Sequence, residues 1–342
     1  MEKKVEKRPV VSSGCCSAEA GVRSRIKNPE AFPVIAKPKW LKVNYNAKDT
    51  REVMELMERL NLHTVCREAN CPNLGECYRK RTATFMILGS ICTRVCRFCN
   101  VCSGRPLPID PDEPRHLAEA AKQLNLLHVV VTSVNRDDLA DGGASQFVAV
   151  IQELRKALPQ ATVEVLIPDL EGNREALQSI LEAEPDVLNH NIETVPHLYK
   201  AIRPQAKYQQ SLDILRWSAD YAHESYARRL ERDPKARGRM LIKTGLMLGL
   251  GEDDEQLNEV FTDLVRERVD VLTLGQYLRP TEFHAPVKRY VTPDKFEEYR
   301  EQALAAGLGF VAASPMVRSS YRAEEALAAV RAKEAAALHA NK

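Results

Sequence analysis

No stretch of the chain approaches the roughly 18 consecutive apolar residues that a membrane-spanning helix needs. An excess of one charge is missing too, because 49 basic residues against 47 acidic ones leave only +2. Without a long-range field to draw it to polyanions, the chain is expected to have neither a nucleic-acid nor a membrane partner. No internal repeat is visible, and with 44% hydrophobic residues the chain is not depleted as disordered sequences are. The first residues mix Lys3, Lys4, Lys7 and Arg8 with Glu2 and Glu6 and lead into no apolar run. A secretory or organellar leader is therefore not expected, and the cytoplasm is the expected compartment.

What the chain does have is nine cysteines in 342 residues. An odd count in a long chain without a signal points to reduced thiols and makes a metal site the leading explanation. Cys66, Cys71, Cys77, Cys92, Cys96, Cys99 and Cys102 crowd together, whereas Cys15 and Cys16 sit in a polar tail.

The pattern along the chain divides it into four parts. Residues 1–32 lack an apolar period and read as a mobile tail. Residues 33–81 form an N-terminal extension whose one helical stretch places Val53, Leu56, Met57 and Leu60 on one face. Over residues 82–312, apolar β-branched runs at 83–88, 127–132, 162–167, 186–190, 241–248 and 270–276 alternate with amphipathic helices. Phe147, Val150, Ile151, Leu154 and Leu158 share one helical face, as do Leu257, Val260, Phe261, Leu264 and Val265. Strand then helix, six times, predicts an α/β fold with a parallel sheet closed into a partial (β/α)6 barrel. Each strand is expected to be continuously apolar, and the chemistry to sit at the strands' C-terminal ends. Residues 313–342 are a C-terminal extension ending in an Ala-rich helix. The charged stretch 223–239 breaks the rhythm and reads as a solvated surface insertion.

Cys92, Cys96 and Cys99 are spaced C-x3-C-x2-C directly after the first strand, which ends at Ile87, Leu88 and Gly89. Three thiolates on one loop can hold three irons of a 4Fe-4S cluster and leave the fourth open. An open iron can chelate an amine and a carboxylate, which suits the methionine end of S-adenosylmethionine. Phe98 lies between two of the cysteines, where its ring could meet a purine. A zinc knuckle or an electron-transfer cluster is the alternative, because Cys96, Cys99 and Cys102 also form a ferredoxin-like C-x2-C-x2-C. Cys66, Cys71 and Cys77 make a second triplet, C-x4-C-x5-C, beside Pro72 and Gly75. Metal ligation explains such spacing better than structural thiols do, with zinc as the other candidate metal.

The first triplet resembles the defining motif of the radical S-adenosylmethionine enzymes. Both triplets together resemble the lipoyl synthase family within them. The resemblance extends over residues 38–325, through Ala83-Thr84-Phe85-Met86-Ile87-Leu88-Gly89, Thr132-Ser133-Val134-Asn135-Arg136-Asp137-Asp138-Leu139, Asn189-His190-Asn191-Ile192-Glu193-Thr194, Leu274-Gly275-Gln276-Tyr277-Leu278 and Arg318-Ser319-Ser320-Tyr321. It implies a radical S-adenosylmethionine partial barrel carrying two 4Fe-4S clusters. One is held by Cys92, Cys96 and Cys99 and binds S-adenosylmethionine; the other, auxiliary, is held by Cys66, Cys71, Cys77 and Ser320. Read alone, Ser320 is a helix N-cap; only the resemblance makes it a ligand. Asn191 and Glu193 match positions that contact the nucleoside, and Phe98 and Gly249 are further candidates for binding it. Arg203, Tyr208 and Ser211 match a family segment with no role derivable from sequence, and Lys243 and His284 are unassigned.

The implied activity is insertion of two sulfur atoms, drawn from the auxiliary cluster, at C6 and C8 of a protein-bound N6-octanoyl-lysine. The implied partners are octanoylated carrier domains (2-oxoacid dehydrogenase acyltransferase subunits and the glycine cleavage H protein), an electron donor such as ferredoxin or flavodoxin, and an iron-sulfur carrier that rebuilds the cluster. A sulfur-inserting enzyme of the biotin synthase type and a two-cluster electron-transfer protein are the alternatives.

Overall fold

The computed structural model describes residues 35–41, 50–79, 83–233, 238–320 and 325–332. The tail with Cys15 and Cys16, and Tyr321 of the C-terminal motif, lie outside the described residues. Helix α1 (Arg51–Arg59) buries Val53, Leu56 and Met57, as their spacing requires. After it come β1 (His63–Thr64), α2 (Val65–Glu68) and α3 (Leu74–Arg79). The main body follows as β2 (Thr84–Ile87), a short pair β3 (Ile91–Cys92) and β4 (Cys102–Ser103), α4 (Glu113–Gln123), β5 (His128–Ser133), α5 (Ala144–Ala157), β6 (Thr162–Leu166), α6 (Arg174–Glu182) and β7 (Val187–Asn189). It continues through α7 (Tyr199–Ile202), α8 (Tyr208–Arg232), β8 (Leu241–Leu248), α9 (Asp254–Arg266), β9 (Val271–Gln276), α10 (Pro293–Ala306) and β10 (Phe310–Ala313).

Strands β2, β5, β6, β7, β8 and β9 lie side by side in chain order and all pair parallel. They are the six runs expected from the sequence. Two elements add to them: β10 joins β9 as a further parallel strand, and β1 pairs antiparallel with β2 at the opposite edge. The sheet's outer face, through Phe85, Val131, Val165, Leu188, Ile242 and Leu272, packs against helix residues such as Leu117, Phe147, Ile180, Leu215 and Phe261 in one core. Its inner face surrounds a single cavity lined by Met86, Thr132, Leu166, Asn191, Gly245 and Thr273. Strands that lie in order and still surround one space must curl, which makes the sheet a partial barrel.

Two expectations need correction. The strands are not continuously apolar, because inward positions carry buried Thr84, Thr132, Glu164, Asn189, Lys243 and Thr273. The deepest of these satisfy one another. Lys243 Nζ lies 2.8 Å from Glu164 Oε1, Asn189 Nδ2 donates to the same oxygen at 3.2 Å, and His128 Nε2 lies 3.4 Å from Glu164 Oε2. The first part of the charged stretch is not a separate insertion either, since residues 223–232 continue α8, while 234–237 lie outside the described residues. Its inward side there is made of small residues, Ala222 and Ser225, so no apolar period marks it.

Below the polar layer, Val187, Leu241 and Val271, near the N-terminal ends of their strands, pack against Ala326, Leu327 and Val330. Residues 325–332 are helical and close that end of the barrel. The other end is left for the site.

Candidate active site

The loop that carries Cys92, Cys96 and Cys99 follows β2, and its anchors are the loops after other strands. Thr93 N donates to Asn135 O at 3.1 Å, Arg97 N to Ile202 O at 2.8 Å, and Ala285 N to Arg97 O at 2.8 Å. Gln205 Oε1 accepts from Val95 N at 2.8 Å, and His284 Nε2 lies 2.9 Å from Cys99 O. His284, unassigned in the sequence, therefore holds the backbone of one of the cysteines. Arg94, which is buried, reaches Asp137 and Asp169 in the loops after β5 and β6. The three thiols all face the cavity. Cys92 Sγ accepts hydrogen bonds from Asn135 N at 3.3 Å and Arg94 N at 3.4 Å. Burial pushes the Cys96 thiol up to about 11, with the Arg203 charge working against it, and pushes Cys99 higher still. Those two thiols stay protonated at neutral pH until a metal displaces the proton. Cys102, on β4, is not one of the six free thiols among the described residues.

The second triplet is built by α2, α3 and the turn between them. Thr64 accepts from Arg67 N to cap α2, and its hydroxyl lies 2.6 Å from Tyr78 Oη, which fixes α3 against it. Cys66 is buried, and burial with the neighbouring Cys71 pushes it up to about 11, opposed by hydrogen bonds from Thr84. Thr84 also donates to Ser320 Oγ at 2.7 Å. One threonine thus touches both Cys66 and the serine far along the chain. Burial raises Cys71 as well, and the adjacent Arg318 opposes the rise. Asn73 Nδ2 bonds Met316 O at 2.8 Å and ties the cysteine turn to the C-terminal segment. Cys66, Cys71 and Ser320 line the cavity, whereas Cys77, on α3 and half-buried, does not.

The nucleoside candidates separate by position. Asn191 and Glu193, after β7, face the cavity, and Asn191 Nδ2 donates to Glu193 Oε1 at 3.1 Å. Burial pushes the Glu193 carboxyl above its ordinary value, and Arg203 pulls it back. Phe98 lines the same cavity beside Tyr277. Gly249 does not line it: at φ +99° it sits in a turn where its N–H donates to Glu252 Oε1 at 2.6 Å, and an added Cβ would meet Arg289 O at 2.4 Å. That glycine is accounted for by packing. Arg203 is the residue that sequence reading singled out without a role. It is buried on the cavity wall, bonds Asn191 O, Ile192 O and Tyr199 Oη, and leaves its Nε without a partner. Ser211 supports His190, whose ring burial holds at about 4 and therefore neutral. A lone arginine in sequence carries no ligand signal; the topology puts it opposite Cys96 and Glu193.

The cavity, about 1160 Å³, exceeds the roughly 300–1,000 Å³ of an ordinary small-molecule pocket. Among the described residues, no three cysteine, histidine or carboxylate groups could hold a single ion. Cys92, Cys96 and Cys99 open together onto the cavity, and soft thiolates supplied by one loop suit the irons of a cluster. Around them, the orphaned Asn191 Oδ1 is a free acceptor and the orphaned Arg203 Nε a free donor. Hydroxyls of a ribose and a carboxylate of an amino acid are their complements, so the residues present fit both iron-sulfur clusters and S-adenosylmethionine.

Residues 86–264 match the radical SAM superfamily. The chain is 50% identical to the lipoyl synthase of Caldanaerobacter subterraneus subsp. tengcongensis over 87% of its own length and 99% of that protein. It is 51% identical to the lipoyl synthase of Rubrobacter xylanophilus over 84% of its length and 86% of that protein. Among solved structures, Streptococcus suis SuiB bound to S-adenosylmethionine shares the fold, with a TM-score of 0.50 and 9% identity, over 66% of this chain and 48% of that one.

Proposed function

The chain belongs to the lipoyl synthase family of radical S-adenosylmethionine enzymes, and from that membership we propose that it converts a protein-bound N6-octanoyl-lysine to the lipoyl group. The observation that carries the proposal is the single cavity onto which Cys92, Cys96 and Cys99 open together with Cys66, Cys71 and Ser320. Cys92, Cys96 and Cys99 hold one 4Fe-4S cluster, and Cys66, Cys71, Cys77 and Ser320 hold the second. When bound, these clusters and S-adenosylmethionine supply one-electron cleavage of that cofactor, hydrogen abstraction at C6 and C8, and the sulfide that is inserted.

The chain's own residues do the positioning. Asn191 Oδ1 and the Glu193 carboxylate receive ribose hydroxyls, and Arg203 Nε receives the methionine carboxylate. Phe98 offers its ring to the purine. Met86, Leu166 and Met247 give the cavity apolar walls that accept an alkyl chain and keep water from it. Ser320 would be a hard oxygen ligand among soft thiolates, the least well matched of the residues that would hold the auxiliary cluster. Residues 33–81 and 313–342 act as the two extensions that complete the auxiliary site on the barrel of residues 82–312.

The substrate is an octanoylated carrier domain, and a ferredoxin or flavodoxin supplies electrons in the cytoplasm. An iron-sulfur carrier restores the auxiliary cluster between turnovers. Among the described residues no helix is long and apolar enough to cross a membrane. The test is anaerobic turnover of an octanoylated carrier domain with S-adenosylmethionine and reductant, read by mass spectrometry of the modified lysine. Gain of two sulfurs is expected. Cleavage of S-adenosylmethionine without sulfur on the carrier, or sulfur placed in dethiobiotin, would overturn the proposal.

A further inference from the structure

Three consecutive residues of the C-terminal segment meet three different parts of the site. Arg318 shares the cavity wall with Cys71 and its charge acts on that thiol, and Ser320 lies against Thr84, which also bonds Cys66. Ser319, between them, points the other way: its Oγ accepts a 2.7 Å hydrogen bond from Asn191 Nδ2, in the loop after β7. The segment is seated on both sides of this contact. Met316 O is held by Asn73, Val317 O sits against Gly275 of β9, and the helix at 325–332 is packed into the barrel floor.

The Asn191 amide has few other choices. Its Nδ2 is shared between Ser319 and Glu193 Oε1, and its Oδ1 lies against Gly245, where an added Cβ would stand 2.8 Å away. With the amide hydrogens taken, Oδ1 is left buried, unpaired and on the cavity wall. Removing the Ser319 hydroxyl frees the amide to rotate and turn a donor where the acceptor belongs.

We propose that Ser319 is a positioning residue that sets the Asn191 amide for the nucleoside of S-adenosylmethionine and, through its neighbour Ser320, couples that binding to occupancy of the auxiliary site. The inference rests on the cofactor assignments proposed above. Coupling of this kind is reciprocal: a filled auxiliary site that draws Ser320 into place favours the Asn191–Ser319 bond, and a bound nucleoside favours the seated segment.

The experiment is equilibrium dialysis of S-adenosylmethionine against the anaerobic chain carrying both clusters, with iron content and unfolding temperature measured for each variant. Ser319→Ala is expected to keep the iron of both clusters and raise Kd about tenfold, the loss of one buried hydrogen bond to a group left misaligned. Ser319→Thr, which keeps the hydroxyl, should bind within about twofold of the parent, since the bond survives. Because both residues act through one contact, Ser319→Ala combined with Asn191→Ala should be no weaker than Asn191→Ala alone. In a chain with Cys66, Cys71 and Cys77 replaced by Ala, Kd should rise and Ser319→Ala should add little. An unchanged Kd in Ser319→Ala, or effects of the two substitutions that multiply independently, would overturn the inference alone. A parent chain that loads iron but binds no S-adenosylmethionine would instead overturn the proposed function on which it stands.

Discussion

Arg94 grips Asp137 at two points, Nε to Oδ2 at 2.8 Å and Nη2 to Oδ1 at 2.9 Å, while its Nη1 reaches Asp169 Oδ2 at 2.7 Å. The arginine stands between Cys92 and Cys96, its side chain only 5% exposed and that of Asp169 fully buried. One guanidinium fork therefore sets the path of the cysteine loop against two other strand ends, which an ammonium cannot do. Removing it leaves two carboxylates without their cation, a loss of about 3–5 kcal/mol for a buried pair. Arg94→Ala is expected to reduce iron to about half, the share of a single cluster, and to stop formation of 5'-deoxyadenosine. A variant with full iron and normal cleavage would show that the loop holds its own shape.

The two triplets should separate by function. Changing Cys92, Cys96 and Cys99 to Ala should abolish cleavage of S-adenosylmethionine. Changing Cys66, Cys71 and Cys77 should leave cleavage working and stop sulfur insertion. Cys102→Ser should keep the iron of both clusters, because that residue belongs to neither triplet. Iron analysis with assays of 5'-deoxyadenosine and lipoyl product reads all three, and lipoyl product from the second variant would refute a sulfur-donor role for its cluster.

Glu164 makes the fold sensitive to acid. Burial by itself would raise its pKa, but Lys243 at 2.8 Å and then His128 outweigh burial and hold the carboxyl at about 2. The folded value lies below the unfolded one of about 4.3, so the stabilisation is complete above that pH and fades as pH falls toward 2. Glu164→Gln should therefore be less stable than the parent at neutral pH, with a gap that narrows below about pH 4. Urea midpoints of the cluster-free chains across that range provide the check, since acid loss of iron then plays no part. A gap of constant size would mean that the ion pair does not set the acid response.

The parts legible in the sequence were those encoded over short spans. Six parallel strands showed as β-branched runs because helices cover their outer face, and α1, α5 and α9 showed through their apolar stripes. Cys92, Cys96 and Cys99 were readable because one loop supplies all three. The pairing of Glu164 with Lys243 was not, since the partners lie 79 residues apart and each looks like a surface charge. Thr84 and Ser320 are 236 residues apart, and only the topology brings them together. Strand β10 is four residues long, and its neighbours give no alternation to reveal it. The helix at 325–332 reads as a surface helix until the barrel floor supplies partners for Ala326, Leu327 and Val330.

Gly275 tests whether the C-terminal segment must be seated as described. A Cβ added there would stand 2.2 Å from Val317 O and 3.2 Å from Val317 C. The obstacle is backbone, so no rotamer change can relieve it, and Gly275→Ala must push the segment outward. Val317 is followed closely by Ser319 and Ser320, and a shift of about 1 Å is enough to break hydrogen bonds that stand at 2.7 Å. Gly275→Ala is expected to lose the auxiliary iron and sulfur insertion together, and to bind S-adenosylmethionine more weakly while still cleaving it. Gly307→Ala is the control. Gly307 ends α10 at φ +119°, where an alanine is strained but its Cβ meets only Val265 at ordinary distance. That variant should lose about 1–3 kcal/mol of stability and keep the iron of both clusters. If Gly275→Ala also kept all its iron and its product, the segment would be able to move without releasing Ser320, and the close approach at Gly275 would serve packing alone.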